Sequence, residues 1–285
     1  MIRRFIRIVV LLFSPALLLG GCDLSSGGGN PDDSQTPGSA DTPDPSNTPG
    51  SGNINGEETP IGGAREVIEE NDNFRFEYSY PKAAGDLPGL AAWLDRRLDR
   101  QRQSLAGESA RGRAQARDNG FPFNKYSSGT SWEVIADLPR WLSLSAALDS
   151  YRGGAHPNYG FDTIVWDKQN DRTLEPIAFF TSPEALDEAL GERLCGALNA
   201  EREERRGTPI EEGSTDSFDA CIKPDETNLL LASTNGRTFD RIGIQIAPYL
   251  AGPYAEGSYE FTFDMDEDLL AIVRPAYRED FTVRN

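Results

Sequence analysis

The arrangement of the folded part of this chain is decided by the stretch Tyr151-Arg152-Gly153-Gly154-Ala155-His156-Pro157-Asn158. This stretch contains the only histidine of the sequence. Residues 132–149 before it and 159–167 after it alternate apolar and polar side chains, which is the pattern of half-buried strands. The Gly-Gly pair therefore predicts a break between two strands, because glycine adopts backbone conformations that other residues avoid.

The first 21 residues have the composition of a secretion signal. Three arginines precede an apolar run over residues 8–19, and small residues stand directly before Cys22. A transmembrane helix needs about 20 apolar residues, which is more than this run supplies. The ending Leu19-Gly20-Gly21-Cys22 resembles the lipobox of bacterial lipoproteins, in which a peptidase cuts before the cysteine and the new N-terminus is acylated. Residues 1–21 are therefore predicted to be a lipoprotein signal peptide, with lipidation at Cys22.

Residues 22–63 are rich in Gly, Ser, Pro, Thr, Asn and acidic residues and contain no Lys or Arg. Such a segment cannot bury enough apolar surface to offset the entropy lost on ordering, so it is predicted to be a disordered tether. About 40 flexible residues have a root-mean-square span of about 35 Å. The remaining residues, 64–285, can then fold away from the membrane. The protein is expected to be extracytoplasmic and lipid-anchored, on the periplasmic side in a Gram-negative cell.

The chain is strongly acidic, with a formal charge of -18. Removal of residues 1–21 takes away three arginines and no acids, which leaves 25 basic and 46 acidic side chains. Nucleic acid is excluded as an expected partner because phosphate binding needs clustered positive charge. Cationic proteins or metal ions would be attracted, although acidity alone also keeps a secreted protein soluble.

The order of the predicted elements indicates an α+β fold with a mixed, mostly antiparallel sheet and two main helices. Strands are predicted over Phe74–Tyr80, Trp132–Ala136, Leu142–Asp149, Tyr159–Asp167, Leu229–Ser233, Thr238–Ala247 and Ser258–Asp264. Helical spacing of leucines begins at Pro88 and again at Pro183, where Ser182 has the character of an N-cap. The turn at residues 169–172 predicts a hairpin. A division into two small lobes near residues 125–130 is an alternative.

Two cysteines remain once Cys22 is assigned to the lipid. Cys195 and Cys221 form an even pair in an oxidising compartment, which favours a disulfide between them. The alternative is that Cys195 is a small buried apolar residue.

The sequence offers little support for a catalytic or metal site, and no cofactor is expected. A lone histidine without a close cysteine pair cannot complete a tetrahedral zinc site. His156 could serve as the base of a serine hydrolase, but there is no Gly-x-Ser-x-Gly elbow. A structural histidine that hydrogen-bonds the backbone beside the Gly-Gly bend is the preferred interpretation. Residues 264–268 alternate acids as calcium loops do, but they lack the required glycine, so a helix N-terminus explains them better.

Two motifs carry a family resemblance. The stretch from Tyr151 to His156, followed by a strand, a hairpin and residues 173–180, resembles the Tyr-x-Gly-Gly-Ala-His family, a bacterial extracytoplasmic domain of unknown function of the RsiV/PdaC type. Residues 246–257 resemble the end of the same domain, and together the motifs extend from about Phe74 to Val273. The hairpin departs from the family pattern, since it has Asp171-Arg172 where the family often has glycine.

The resemblance implies extracytoplasmic, cell-wall-associated binding. In RsiV the domain senses by binding lysozyme, and in PdaC it accompanies a peptidoglycan enzyme. A non-catalytic binding or sensing module is therefore expected, with a lysozyme-like cationic protein or peptidoglycan as partner. An envelope polymer hydrolase that uses His156 and a purely structural envelope lipoprotein remain the alternatives. The expected ligand-binding residues lie in the two motifs: Tyr151, Gly153, Gly154, His156, Tyr249 and Tyr254.

Overall fold

The computed structural model describes residues 62–211 and 213–284, and all of them belong to one compact unit. The predicted signal peptide 1–21, the lipidation site Cys22 and nearly all of the predicted tether lie outside the described residues. No helix within the described ranges combines the length and apolar content that a membrane span needs. The domain boundaries near residues 63 and 125–130 stay predictions.

The first six strands form one sheet in chain order. They are β1 (Arg65–Glu70), β2 (Phe74–Tyr80), β3 (Tyr126–Asp137), β4 (Trp141–Tyr151), β5 (Asn158–Asp167) and β6 (Arg172–Leu174). All neighbours pair antiparallel except β2 and β3, which are parallel. A parallel pair needs a long crossover, and the helical segment between these strands supplies it. The mostly antiparallel α+β fold is confirmed.

The prediction that Phe74–Tyr80 is the first strand is wrong, because β1 precedes it. β1 contains only two apolar residues, Val67 and Ile68, between charged ones. It lies at the edge of the sheet, where charged residues are tolerated because one side of the strand stays in water. Its weak apolar pattern therefore follows from its position.

The helices are α1 (Lys82–Gly85), α2 (Pro88–Asp118), α3 (Pro183–Arg206) and α4 (Glu267–Ala271). α2 covers one face of the six-stranded sheet. Its buried leucines, from Leu90 to Leu105, pack against the aromatic side chains of β2 and against Trp132. The Tyr78 hydroxyl donates to the Leu94 carbonyl at 3.2 Å and accepts from Trp132 Nε1 at 3.0 Å, so the polar groups of Tyr78 and Trp132 are satisfied within this core.

The departure from the family pattern at Asp171 has a structural role. Asp171 has φ +53° in the β5–β6 hairpin, a conformation that glycine adopts readily and that aspartate tolerates better than most residues. Its carboxylate lies against the first turn of α2, where a Cβ added at Gly89 would stand 2.6 Å from Asp171 Oδ1. α2 has no side-chain cap of its own, and a carboxylate at a helix N-terminus is favourable.

A second sheet contains β7 (Asn228–Ala232), β8 (Arg241–Ile246) and β9 (Tyr259–Asp264), all antiparallel. One face packs on α3, whose buried leucines meet Ile242, Ile244 and Ile246. The other face meets strands β3 to β5 of the large sheet, where the Ser145 hydroxyl donates to Gln245 Oε1 at 2.9 Å. Small side chains at this contact let the two sheets approach closely.

Both predicted helix starts in the second half of the chain are confirmed. Ser182 caps α3 by accepting a hydrogen bond from the Ala185 amide at 3.1 Å. Asp266 caps α4 by accepting from the Leu269 amide at 2.9 Å, so the acids of residues 264–268 do mark a helix N-terminus.

The C-terminal half of α3 is tied to two loops. The predicted disulfide joins Cys195 in α3 to Cys221, with 5.1 Å between the Cα atoms. Two α-helical turns further on, Arg202 is fully buried and donates to the carbonyls of Ala220 and Ala251 at 3.0 and 2.8 Å. Burial lowers the pKa of this guanidinium, whose charge is stabilised by backbone dipoles instead of water.

Replacing both cysteines of the disulfide by serine should lower the free energy of unfolding by about 3.5 kcal/mol, since the bond closes a loop of 26 residues in the unfolded chain. Urea denaturation of the oxidised wild type, the reduced wild type and the Cys195→Ser/Cys221→Ser variant checks this. Equal midpoints for all three would contradict it.

Arg202→Met should cost about 3 kcal/mol of stability, because it leaves the carbonyls of Ala220 and Ala251 without donors in a buried site. Arg100→Met, which changes an exposed arginine of α2, is the matched control and should leave the urea midpoint nearly unchanged. A loss no larger than that of the control would show that the buried hydrogen bonds are dispensable.

Candidate functional site

The face of the six-stranded sheet opposite α2 is only half covered. Near Ser143 and Val165 it is buried beneath the second sheet, whereas the other end of strands β1 to β5 lies open. The open part is a groove with a volume of about 460 Å³. Its lining includes Glu66, Ile68, Glu77, Ser131, Asp149 and Tyr159. A concave surface with convergent polar groups is the usual form of a binding site.

A row of five residues crosses the groove. Ile68, Glu77, Gly129, Asp149 and Tyr159 stand directly opposite one another on five neighbouring strands, from β1 to β5. Strands in a sheet are about 4.8 Å apart, so the row is about 19 Å long. The two ends are apolar or aromatic and exposed, and the middle is acidic.

Gly129 gives the groove its acidic centre. A Cβ added at this position would overlap with the carboxylate of Asp149, so the missing side chain is what lets Asp149 lean over β3. Burial by the groove walls raises the pKa of Asp149, and the negative charge of Glu77 raises it further, while Arg75 acts in the opposite direction.

The two central acids differ in their partners. Glu77 forms an ion pair with Arg75, which also lies 3.7 Å from Glu70. The Asp149 carboxylate has no hydrogen-bond or ion-pair partner among the residues that the structure describes. Of these two central carboxylates, that of Glu77 is thus neutralised by the protein, and that of Asp149 is left for solvent or a ligand.

An aromatic cluster, formed by His156, Tyr159, Tyr249 and Tyr254, stands at one end of the row. The ring centroids of His156 and Tyr254 are 3.8 Å apart and nearly parallel. Tyr254 also lies 6.2 Å from Tyr159 and 5.8 Å from Tyr249. Since Tyr159 lines the groove as well, it joins the groove to the cluster.

Both ring nitrogens of His156 are engaged. Nδ1 lies 2.8 Å from the Pro157 carbonyl, which can only accept, so Nδ1 carries the proton. Nε2 then accepts from the Tyr249 hydroxyl at 3.0 Å. The imidazole contacts the backbone beside the Gly-Gly bend, which is the arrangement that the structural interpretation of this histidine expects.

Tyr249 has a strained backbone. Its φ is +73°, in the left-handed region that bulky residues rarely adopt, and about half of its surface is exposed. Such a conformation costs about 1–3 kcal/mol and persists only where the surroundings enforce it. Here the Tyr249 amide donates to the Gly252 carbonyl at 3.0 Å, which closes a turn. An exposed tyrosine held at this cost is typical of a functional position.

The structure brings three of the six predicted ligand-binding residues together. His156, Tyr249 and Tyr254 meet although 93 residues separate the first two. Gly153, with φ +84°, and Gly154 form the bend between β4 and β5. Tyr151, the last residue of β4, stands opposite Ser127 in β3. Whether any of these residues binds a ligand stays a prediction.

Sequence reasoning missed Tyr159, Glu77 and Asp149 as site residues. Tyr159 stands only three residues after His156 of the Gly-Gly-Ala-His motif and could have been included for that reason. The two acids are 72 positions apart and come together only through the pairing of β2, β3 and β4, for which the sequence has no signal. Within residues 62–211 and 213–284, no group of three or more His, Cys, Asp or Glu side chains is placed to hold a metal ion.

Two solved structures are among those that resemble this chain. A member of the DUF3298 family from Bacteroides fragilis has 17% sequence identity and a TM-score of 0.47, over 74% of this chain and 91% of that chain. A DUF3298 family protein from Pseudomonas aeruginosa has 16% identity and a TM-score of 0.42, over 79% of this chain and 99% of that chain. The search of curated proteins found no match.

A family model described as "Deacetylase PdaC" matches residues 67–159. The match begins in β1, includes α2 and His156, and ends at Tyr159, so it contains the whole row that crosses the groove. It is shorter than the region from Phe74 to Val273 over which the motifs indicate the resemblance. Over residues 67–159, the predicted resemblance to a domain of the RsiV/PdaC type is confirmed.

Proposed function

We propose that this chain is a non-catalytic binding or sensing module whose ligand lies in the groove and contacts the aromatic cluster. The observation that carries the proposal is the row of five aligned residues across five strands, whose two ends, Ile68 and Tyr159, are exposed. Exposed tyrosines beside a concave surface supply large contact areas at a small entropic cost.

The N-terminal sequence supports an extracytoplasmic setting for this module. A lipid on Cys22 would hold the chain at the membrane, and the segment 22–63 would let the groove reach ligands in the envelope. A lysozyme-like cationic protein or peptidoglycan fits this place and the acidic charge of the chain.

The hydrolase alternative gains no support from the geometry of His156. A general base must have a free nitrogen within reach of the proton that it removes. Nδ1 is hydrogen-bonded to a backbone carbonyl and Nε2 to a tyrosine hydroxyl, and among the described residues no serine or acidic side chain hydrogen-bonds the ring. The name of the matching family model belongs to a deacetylase, and an activity does not pass to this chain with the name.

Tyr159→Ala should weaken ligand binding about tenfold, because this ring is shared by the groove and the aromatic cluster. The measurement is the affinity of the purified full-length protein for lysozymes, for other basic envelope proteins and for isolated peptidoglycan, at low and moderate salt. Phe121→Ala removes an even more exposed ring after the end of α2 and should change no affinity. If the ligands bind both variants equally well, the proposed site is wrong.

Tyr249→Gly should separate a binding role from a structural role. Glycine relieves the strain at φ +73°, which offsets the lost hydrogen bond and ring stacking, so the free energy of unfolding should change by less than about 1 kcal/mol. Ligand binding should weaken about tenfold because the exposed ring is gone.

Tyr249→Phe keeps the ring and the strained backbone, and it should retain binding within about threefold because only the hydroxyl group is lost. A large loss of stability in Tyr249→Gly together with unchanged ligand binding would show that this tyrosine acts only in packing.

A further inference from the structure

The electrostatic character of the groove indicates the charge of its ligand. Its lining includes three acids, Glu66, Glu77 and Asp149, and the nearby Arg75 is already engaged by Glu70 and Glu77. Asp149 stands at the centre of the row without a partner among the described residues. An unpaired carboxylate beside a second acid is best stabilised by a cation brought by the ligand.

The dimensions of the groove indicate the shape of its ligand. The row from Ile68 to Tyr159 is about 19 Å long, which is the length of about six residues of extended chain. Exposed Ile68 and Tyr159 at the two ends offer surfaces for the aliphatic part of long side chains. The hydroxyl groups of Ser79 and Ser131, 3.2 Å apart in the neighbouring row, can exchange hydrogen bonds with a peptide backbone.

From these features we infer that the groove binds an extended cationic peptide segment of another protein, with a lysine or arginine side chain placed between Glu77 and Asp149. The inference rests on the proposed function and adds the chemical class of the ligand. Charge complementarity is what selects this occupant. The segment 22–63 of the same chain is a poor occupant because it contains no Lys or Arg.

The pH dependence of binding follows from the groups around Asp149. These are Glu77 and Arg75 on β2, Tyr159 on β5 and Glu66 on β1. The free groove holds the pKa of Asp149 above its usual value, and a bound cation lowers it again because it favours the ionised form. Affinity is therefore lost as the pH falls through the pKa of Asp149 in the free protein.

The test uses a capped hexapeptide of alternating lysine and threonine, titrated into the purified full-length protein and followed by the NMR signal of the Gly129 amide. Three probes are compared: this peptide, the same peptide with acetylated lysines, and a glucosamine tetramer as a cationic glycan. The lysine peptide should bind with strong salt dependence, and acetylation should weaken it at least tenfold because the charge is removed.

Variants locate the charged contact. Asp149→Asn and Glu77→Gln should each weaken binding of the lysine peptide about fivefold, and Asp149→Asn should also remove the loss of affinity at low pH. Asp118→Asn removes an exposed acid at the end of α2 and should have no effect. Equal peptide affinity in Asp149→Asn and the wild type would overturn the inference.

The outcomes separate this inference from the proposed function. If the glucosamine tetramer binds and the lysine peptide does not, the inference is overturned in favour of a glycan ligand. Failure of both probes, while Tyr159→Ala still weakens binding of a lysozyme or of peptidoglycan, would overturn the inference and leave the proposed function standing. If Tyr159→Ala changes no binding either, the proposed function itself fails.

Discussion

The contact between the two sheets is the constraint on which the rest of the structure depends. The Ser145 hydroxyl and the Gln245 side chain meet across it in a buried hydrogen bond, with small residues around them. Because the three-stranded sheet is shorter than β3, β4 and β5, it covers only one end of their free face. The groove is the uncovered remainder. The same contact brings the segment after β8 beside the β4–β5 bend, which places Tyr249 and Tyr254 against His156.

The turn that carries Tyr249 is held in place by arginine side chains of α3. The buried guanidinium of Arg202 donates to the Ala251 carbonyl, and Arg206 forms an ion pair with Glu256 at 2.7 Å. A Cβ at Gly252 would overlap with the Glu256 carboxylate, so this glycine leaves room for the carboxylate beside the turn. These fixed groups supply the surroundings that keep Tyr249 at a positive φ. The stability of α3 and its disulfide is thereby coupled to the geometry of the aromatic cluster.

A binding surface on the middle of a sheet has a different character from one on loops. The strands fix the spacing of Glu77, Gly129 and Asp149 through their hydrogen-bond ladder, so these positions need no ordering when a ligand arrives. The aromatic cluster lies on two turns and depends on the packing behind them. The proposed site therefore combines a rigid, charged floor with an aromatic end wall, whose strained turn is held in place by buried hydrogen bonds.

Local patterns in the sequence determined most of the secondary structure and the family resemblance. The period-2 alternation of Phe74–Tyr80, the leucine spacing after Pro88 and the capping residues Ser182 and Asp266 act over a few residues, so they can be read without a structure. The even cysteine pair likewise pointed to the disulfide. β1 was not predicted from the sequence because an edge strand needs little apolar surface.

The tertiary structure alone decided where the candidate site lies. Asp149 faces Glu77 only because β2 and β4 flank Gly129 in β3, and Tyr249 reaches His156 only because one sheet packs on the other. These relations depend on strand order and register over 72 and 93 positions of sequence. No local pattern encodes such distances, since the free energy that fixes them comes from burying both sheets together.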